Sequence, residues 1–189
     1  MLSSPVLEGR NVRLRPPCDE DADVRFSLGT NAEISEMYGI DKDDIKPMTR
    51  EGAARWVQWL SERPHTWVIE IDGAFAGEIR LDNVNLQDRR ATMAIGISNP
   101  ALLGKSFGTE AITLLLRHAF TEMKLHRIGI RVLAYNKRAI RAYEKCGFIV
   151  EGRERETVYV KGSWHDDIMM GLLDREFFAR DTVPSSNVE

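Results

Sequence analysis

The alternation of hydrophobic and polar residues in the first sixty positions predicts one strand and two helices. "NVRLRP" (11–16) alternates as a half-buried strand does. "DEDADVRFSL" (19–28) begins with acidic residues, which favour a helix N-terminus. The polar segment "DKDDIKPM" (41–48) is typical of a loop, and Thr49 is a candidate N-cap of the next helix. That helix carries four large apolar residues: Trp56, Val57, Trp59 and Leu60.

The period changes to that of β-strands after this helix. "HTWVIEIDGAFAGEIRLDNV" (65–84) alternates on both sides of Asp72-Gly73, which is a strong signal for a two-residue hairpin. "RRATMAIGIS" (89–98) then predicts a further strand. Three consecutive strands joined by short connections predict an antiparallel meander.

The second half alternates helices with strands. Apolar residues at helical spacing predict a helix beginning near Gly108: Ile112, Leu115, Leu116, Ala119 and Met123. "RIGIRVLA" (127–134) predicts a buried strand, and "NKRAIRAYEKCGF" (136–148) a short helix with Asn136 as N-cap and Gly147 just past its end. The last stretch, 149–173, predicts a second hairpin that turns near Lys161-Gly162. The whole order predicts one mixed α/β domain around a central sheet.

The composition is typical of a single globular domain and excludes few functions. A chain of 189 residues fits one domain, here 1–180, followed by a polar tail, 181–189. A net charge of −3 argues against nucleic-acid binding by charge alone, and no apolar run predicts a membrane span or a signal peptide. Cys18 and Cys146 are far apart, as in a cytoplasmic protein with free thiols, and the four histidines lack metal-ligand spacing.

The stretch "LLGKSFGTEA" (102–111) suggests a phosphate-binding loop. Gly104-Lys105-Ser106 matches the end of a nucleotide P-loop, but Asn99 stands where that motif needs its first glycine. A second interpretation is a pyrophosphate site at the start of the following helix, where free N–H groups and the helix dipole favour an anion. A third is a plain strand–helix connection capped by Gly108 or Thr109.

Together, "GKSFGTEAI" (104–112) and "NKRAIRAYEKCGF" (136–148), each at the start of a helix, resemble the GCN5-related N-acetyltransferases (GNAT). The resemblance is greatest to the branch of ribosomal-protein N-acetyltransferases, and it extends to "LEGRNVRLRPPCDEDA" (7–22) and "GSWHDDIMMGLL" (162–173). It implies a mostly antiparallel mixed sheet, splayed at its centre and flanked by helices. It also implies acetyl-coenzyme A (acetyl-CoA) as acetyl donor, an amine acceptor and no metal.

The resemblance also implies the residues that bind coenzyme A. The family motif [QR]-x-x-G-x-[GA] falls on Leu103, Ser106 and Gly108, so this chain departs from it at the first two positions. The pantetheine arm would add to the strand edge at 95–97. The cofactor-binding residues expected in this way are Ile95, Gly96, Ile97, Leu103, Gly104, Lys105, Ser106, Phe107, Gly108, Thr109, Asn136, Arg138 and Tyr143.

The same resemblance implies that Tyr143 protonates the departing sulfur. From the residues alone, Tyr143 is equally a core aromatic, because it shares a helix face with Ala139 and Ile140. Many relatives carry a glutamate base where this chain has Thr92, so Glu78 and His165 are the candidate bases. A relayed water, or an α-amine of lower pKa, would need no strong base.

Three functions stay open at this point. The first is acetyl transfer to a protein N-terminus or a small-molecule amine. The second, suggested by the departures at Leu103 and Ser106, is a non-catalytic acyl-coenzyme A sensor; the third is a nucleotide P-loop protein. We further expect no nucleic-acid or membrane partner, and we expect the chain to form a homodimer.

Overall fold

The structure, a computed structural model, describes residues 4–181. Within these residues eight strands form one sheet: β1 (Leu7–Glu8), β2 (Val12–Arg15), β3 (Thr66–Ile71), β4 (Ala74–Asn85), β5 (Arg90–Ile97), β6 (Arg127–Leu133), β7 (Ile149–Val160) and β8 (Ser163–Leu173). Six α-helices accompany it: α1 (Asp21–Leu28), α2 (Ala32–Glu36), α3 (Arg50–Ser61), α4 (Phe107–Thr121), α5 (Lys137–Cys146) and α6 (Asp174–Asp181).

The sheet is mixed and mostly antiparallel. Its strand order is β1-β2-β3-β4-β5-β6-β8-β7, and only the β5–β6 pair is parallel. A parallel pair needs a crossover connection, and α4 supplies it. The predicted fold class is therefore confirmed.

Two hairpin turns form where the sequence places them, for a conformational reason. Asp72 and Gly73 both have positive φ (50° and 76°), and so do Lys161 and Gly162 (52° and 74°). Two successive positive φ angles define the turn type whose twist matches that of the strands it joins. These turns set the strand register of both hairpins.

Helix α4 provides the centre of the core. Ile112, Leu115 and Leu116 are almost fully buried and join one apolar cluster with residues of the sheet, including Ile79 and Ile128. Burial of each such side chain contributes roughly 1.5–3 kcal/mol. On other parts of the sheet, α1 packs on α3 and both contact central strands, whereas α5 packs on α4.

Three elements were not predicted, and two of them, α2 and β1, are too short for a periodic pattern. Helix α2 has five residues and is capped by Asn31, whose side chain accepts a hydrogen bond from the Ile34 N–H. Strand β1 has two residues. Helix α6 was missed as well; Asp181 ends it, and the rest of the predicted tail lies outside the described residues. None of the helices in 4–181 is long and apolar enough to cross a bilayer.

Candidate active site

The central strands β5 and β6 separate soon after they meet. They pair at only three positions, Arg90–Arg127, Ala91–Ile128 and Thr92–Gly129. Beyond Thr92, β5 remains paired with β4 alone, and β6 continues with β8. The sheet therefore opens into a wedge with an unpaired backbone edge on β5, to which an extended ligand with amide groups can add.

A cavity of about 540 Å³ fills this wedge and extends along α4 and α5. Most residues expected to bind coenzyme A line it: Ile95, Ile97, Leu103, Gly104, Ser106, Phe107, Gly108, Thr109, Asn136, Arg138 and Tyr143. Gly96 and Lys105 are not among the lining residues. Lys105 is exposed. Gly96 is a point of close approach, because a Cβ there would lie 2.6 Å from the Tyr38 hydroxyl and 2.8 Å from Glu78 Oε1.

The loop before α4 presents backbone donors to the cavity. Helix α4 begins at Phe107, one residue before the predicted start, and its N-cap is Ser106 rather than Gly108 or Thr109. The Ser106 side chain caps nothing, and within the described chain the N–H groups of Phe107, Gly108 and Thr109 have no acceptor. Such a helix start favours an anion through its free donors and its dipole.

Ser106 adopts an unusual backbone conformation to form this loop. Its φ of 66° and ψ of 1° lie in the left-handed region, which L-residues with a Cβ rarely occupy. The departure from the family motif at Ser106 is therefore accommodated by backbone strain. The loop keeps the shape that a glycine would give it, at an energetic cost of about 1–2 kcal/mol.

Helix α5 adds positive charge to the same part of the cavity. Arg138, Arg141 and Lys145 line it and are spaced three or four residues apart, so they share one helix face. Together with the free N–H groups of α4 they suit a ligand that carries several phosphates. The residues present therefore fit coenzyme A: an amide-bearing arm along β5, and phosphates between α4 and α5.

Tyr143 lies on α5 with its ring in the core and its hydroxyl toward the cavity. It is 7% exposed, and its ring packs edge-on against Phe148. The hydroxyl has no hydrogen-bond partner in residues 4–181. Every fully buried polar side-chain atom in those residues does have a partner. The Tyr143 hydroxyl is therefore not fully buried, and it is accessible from the cavity that the residue lines. Burial, with a smaller effect of Cys146, raises the pKa of Tyr143, which keeps the phenol protonated as a donor.

Glu78 lies on β4 and lines the cavity from the side of α1 and α2. Burial raises its pKa to about 7, although the positive charges of Arg80 and Arg25 oppose that effect. A carboxyl group with a pKa near neutrality can accept and release a proton at physiological pH. Glu78 is therefore suited to general-base chemistry.

Tyr38, just after α2, completes this side of the cavity and was not predicted. Its hydroxyl donates to the Ile95 carbonyl at 3.3 Å. Partial desolvation of the hydroxyl and the charges of Glu78 and Tyr143 raise the pKa of Tyr38, although the residue as a whole is 53% exposed. No sequence signal marked it, because its position depends on α2, a helix too short to be recognised.

Asn136 joins α2 to α5 at the bottom of the wedge. Its Oδ1 accepts from the Ala139 N–H at 3.1 Å, which confirms the predicted N-cap, and its Nδ2 donates to the Met37 carbonyl at 3.4 Å. One side chain thus fixes the start of α5 and the segment after α2. The second hydrogen of its amide group is available to a ligand in the cavity.

His165 lies apart from these groups. Its Nε2 is 3.3 Å from the Val160 carbonyl, its ring packs edge-on against Tyr135, and it is not among the residues lining the cavity. Of the two candidate bases, the structure brings only Glu78 to the cavity that Tyr143 faces. Thr92, where many relatives carry a glutamate, donates to the Asp82 carbonyl at the point where the strands separate. No group of described residues is arranged to hold a metal ion.

Comparison with known proteins places the chain in a family. Residues 11–149 match the family model for the acetyltransferase (GNAT) domain. The chain therefore belongs to the GNAT acetyltransferases, which confirms the resemblance in its motifs, and it is an N-acetyltransferase. A non-catalytic module and a nucleotide P-loop protein are not favoured.

The similar proteins include enzymes of several bacteria. The spermidine N(1)-acetyltransferase of Escherichia coli (strain K12) is 29% identical over 178 residues, 94% of each chain. YdaF of Bacillus subtilis (strain 168), named as a proposed ribosomal N-acetyltransferase, is 34% identical over 56% of this chain and 57% of its own. The solved spermidine N-acetyltransferase of Vibrio cholerae, in complex with CoA and spermine, shares the fold with a TM-score of 0.74 at 24% identity, covering 89% of this chain and 98% of that one.

Proposed function

We propose that the donor is acetyl-coenzyme A and that the acceptor is the primary amine of a small molecule. Acetyl-coenzyme A supplies an activated thioester. The amine nitrogen forms a bond to the acetyl carbon, the carbon–sulfur bond breaks, and the products are an amide and coenzyme A. Named relatives that act on spermidine support a small-molecule acceptor, and a protein N-terminus is the second acceptor class.

The observation that carries the proposal is the alignment of three ligand-binding features along one cavity. These are the free β5 edge, the unpaired N–H groups at the start of α4, and the accessible Tyr143 hydroxyl. An extended molecule would meet the N–H groups of α4 with its terminal phosphates, the β5 edge with its amide groups, and the Tyr143 hydroxyl with its thioester. The edge of β5 would hold its amide groups, and the positive charges of α5 would face its phosphates.

Tyr143 and Glu78 have separate roles in the proposed reaction. An alkylamine is mostly protonated at neutral pH, so it must lose a proton before it attacks. Glu78, with its pKa near 7, accepts that proton. Tyr143 donates its proton to the departing sulfur, and a phenol of raised pKa is a hydrogen-bond donor throughout the physiological range. The direct attack needs both substrates in the cavity at once.

Calorimetric titration with acetyl-coenzyme A, coenzyme A and magnesium-ATP is the first test. We expect micromolar binding of both coenzyme A species and no binding of ATP. A discontinuous assay for N-acetylated product, with a panel of primary amines, then tests transfer. Binding of ATP without coenzyme A would contradict the proposed donor, and binding of coenzyme A without transfer to any amine would contradict the proposed reaction.

Three further expectations extend this proposal. A cytoplasmic location fits two free cysteines, one exposed and one buried. The homodimer, and the absence of a nucleic-acid or membrane partner, stay predictions, which size-exclusion chromatography with light scattering and simple binding assays would test.

A further inference from the structure

Glu78 and Arg80 lie side by side on the cavity wall that β4 forms, which we call the acceptor face. Glu78 and Arg80 are two positions apart on β4, so their side chains leave the same face of the sheet about 6.6 Å apart. Both line the cavity. Any amine that reaches Glu78 therefore also meets Arg80.

The guanidinium of Arg80 is held in place and keeps donors available. Its Nε donates to Asp82 Oδ2 at 2.9 Å, and its guanidinium lies 5.2 Å from the centre of the Trp59 ring. Its two terminal nitrogens have no hydrogen-bond partner in the described part of the chain. Asp82 also lies 3.8 Å from Arg63, so one carboxylate is shared by two guanidinium groups.

A second positive charge acts on Glu78 from α1. The charge of Arg25 lowers the pKa of Glu78, and Arg25 itself is partly buried over the Trp56 ring. Its one hydrogen bond among residues 4–181 is to the Gly29 carbonyl at 2.6 Å, and no carboxylate there is within ion-pair distance of it. Two guanidinium groups therefore act on Glu78: Arg80 lines the cavity with it, whereas Arg25 is not among the lining residues.

The remaining carboxylate of the cavity is already satisfied. Asp167 is 2% exposed; it accepts from the Thr157 hydroxyl at 2.8 Å and lies 3.3 Å from Arg131 Nε. A polyamine has two or more further ammonium groups, each of which needs a negative partner when it leaves water. This part of the cavity offers such groups positive charge instead.

Resting on the proposed acetyl transfer, we infer that the acceptor is an amino acid or a related amine that bears a carboxylate within a few bonds of its nitrogen. Arg80 binds the carboxylate through its terminal nitrogens, and Glu78 faces the amine. A planar guanidinium matches a carboxylate in both charge and geometry. Arg80 thus recognises the carboxylate of a small zwitterion and Glu78 its amine, whereas a site for a polycation would need further negative charges.

The test compares acceptors that differ only in the carboxylate. The panel contains the twenty amino acids, their carboxamides, the matching amines without a carboxyl group, and spermidine, all with acetyl-coenzyme A and the full chain. We expect at least one amino acid to have a kcat/KM tenfold or more above that of its carboxamide. In Arg80→Gln, the kcat/KM for that amino acid should fall to within about threefold of the carboxamide value.

Arg63→Gln is the matched control. Arg63 lies over the same Trp59 ring and near the same Asp82, but it does not line the cavity, so this variant should keep the preference. Circular dichroism and acetyl-coenzyme A affinity verify that both variants are folded.

Each other outcome overturns the inference. If spermidine or the carboxamides are acetylated as well as the amino acids or better, the acceptor is not a carboxylate-bearing amine, while acetyl transfer stands. Equal effects of Arg80→Gln on amino acid and carboxamide would remove the proposed contact. If no amine of the panel is acetylated, the inference and the proposed reaction are both wrong, and calorimetry then shows whether coenzyme A binding survives.

Discussion

The Tyr135 hydroxyl donates a hydrogen bond to the Glu36 carbonyl at 2.6 Å. Tyr135 precedes α5, which carries Tyr143, and Glu36 is the last residue of α2, beside the acceptor face. This bond and the one from Asn136 to the Met37 carbonyl therefore hold the two sides of the cavity together. The donor half and the acceptor half of the site depend on each other's position.

Tyr135→Phe should loosen α2 without changing the chemistry. Loss of one hydrogen bond costs about 0.5–1.5 kcal/mol, and the Glu36 carbonyl at the end of α2 then keeps only the Gly39 N–H as its donor. We expect a severalfold higher KM for the amine, with kcat and acetyl-coenzyme A affinity within about twofold of their original values. Steady-state kinetics with each substrate varied in turn measures this. A kcat loss equal to that of a Tyr143 variant would show that Tyr135 acts on the reacting groups instead.

Tyr143→Phe should separate binding from turnover. The ring, with its packing on Phe148, is retained, but the proton donor is lost. General acid catalysis contributes typically 10²–10⁴-fold, so we expect kcat to fall by at least a factor of one hundred. Coenzyme A affinity, measured by calorimetry, should change less than about threefold. Tyr159→Phe, at an exposed tyrosine on β7, is the control and should keep full activity.

The activity should depend on pH through Glu78. The base must be deprotonated, so kcat/KM for the amine should rise with pH up to about 7, the pKa of Glu78, and then level off. Glu78→Gln should lower kcat/KM and remove this rise. Glu33→Gln, at an exposed residue of α2, should leave the profile unchanged. An unchanged profile in Glu78→Gln would assign the base to a water or to the amine's own ionisation.

The raised pKa of Glu78 affects stability in the opposite direction to activity: stability falls as the pH rises. Folding favours the protonated carboxyl, so the folded state binds more protons than the unfolded state between pH 4.5 and about 7. The contribution of Glu78 to the free energy of unfolding therefore falls as the pH rises from 4.5 to about 7. Glu78→Gln should be more stable than the original chain at pH 8, on the order of 1–3 kcal/mol, and the difference should shrink toward pH 4.5. Urea denaturation at a series of pH values measures it.

Ser106→Gly should relieve strain in the phosphate loop. Glycine tolerates the φ of 66°, which saves about 1–2 kcal/mol, but it costs roughly 0.5–1 kcal/mol of entropy in the unfolded chain. We expect a net stabilisation of up to about 1.5 kcal/mol and an equal or higher affinity for coenzyme A. Gly104→Ala, at a φ of 75°, should act in the reverse direction. Thermal denaturation and calorimetry report on the two effects, and a lower affinity in Ser106→Gly would mean that the hydroxyl itself binds the ligand.

Arg15→Met should strongly destabilise the fold. Arg15 donates to Asp21 at 2.6 and 2.9 Å and to Glu70 at 2.6 Å, and Asp21 is 2% exposed. Removal of the guanidinium leaves the buried carboxylate without its positively charged partner, with only the Cys18 N–H still donating to it, which costs about 3–5 kcal/mol. Arg90→Met removes an exposed ion pair with Asp88 and should change stability by less than about 1 kcal/mol. Equal effects of the two substitutions would show that the buried network is not needed for stability.

The sequence predicts elements well where a local rule decides them. Thr49 and Asn136 cap their helices because a side-chain oxygen can reach an N–H three residues ahead, and Asp72-Gly73 turns because both residues tolerate positive φ. Helix α2 has only five residues, little more than one turn, so the spacing of its apolar residues shows no helical period. Its position rests on Tyr135 and Asn136, each about a hundred residues away.

The sequence by itself predicted most of the strands and helices in their order, the family, and the residues expected to bind coenzyme A, most of which lie on two local motifs at helix starts. Only the tertiary structure decided the acceptor half. It separated Glu78 from His165, brought Tyr38 to the edge of β5, and placed Arg80 beside the candidate base. Contacts between distant segments set these positions. The pKa of a group such as Glu78 depends on its burial and on nearby charges, and the spacing of residues along the chain does not reveal either.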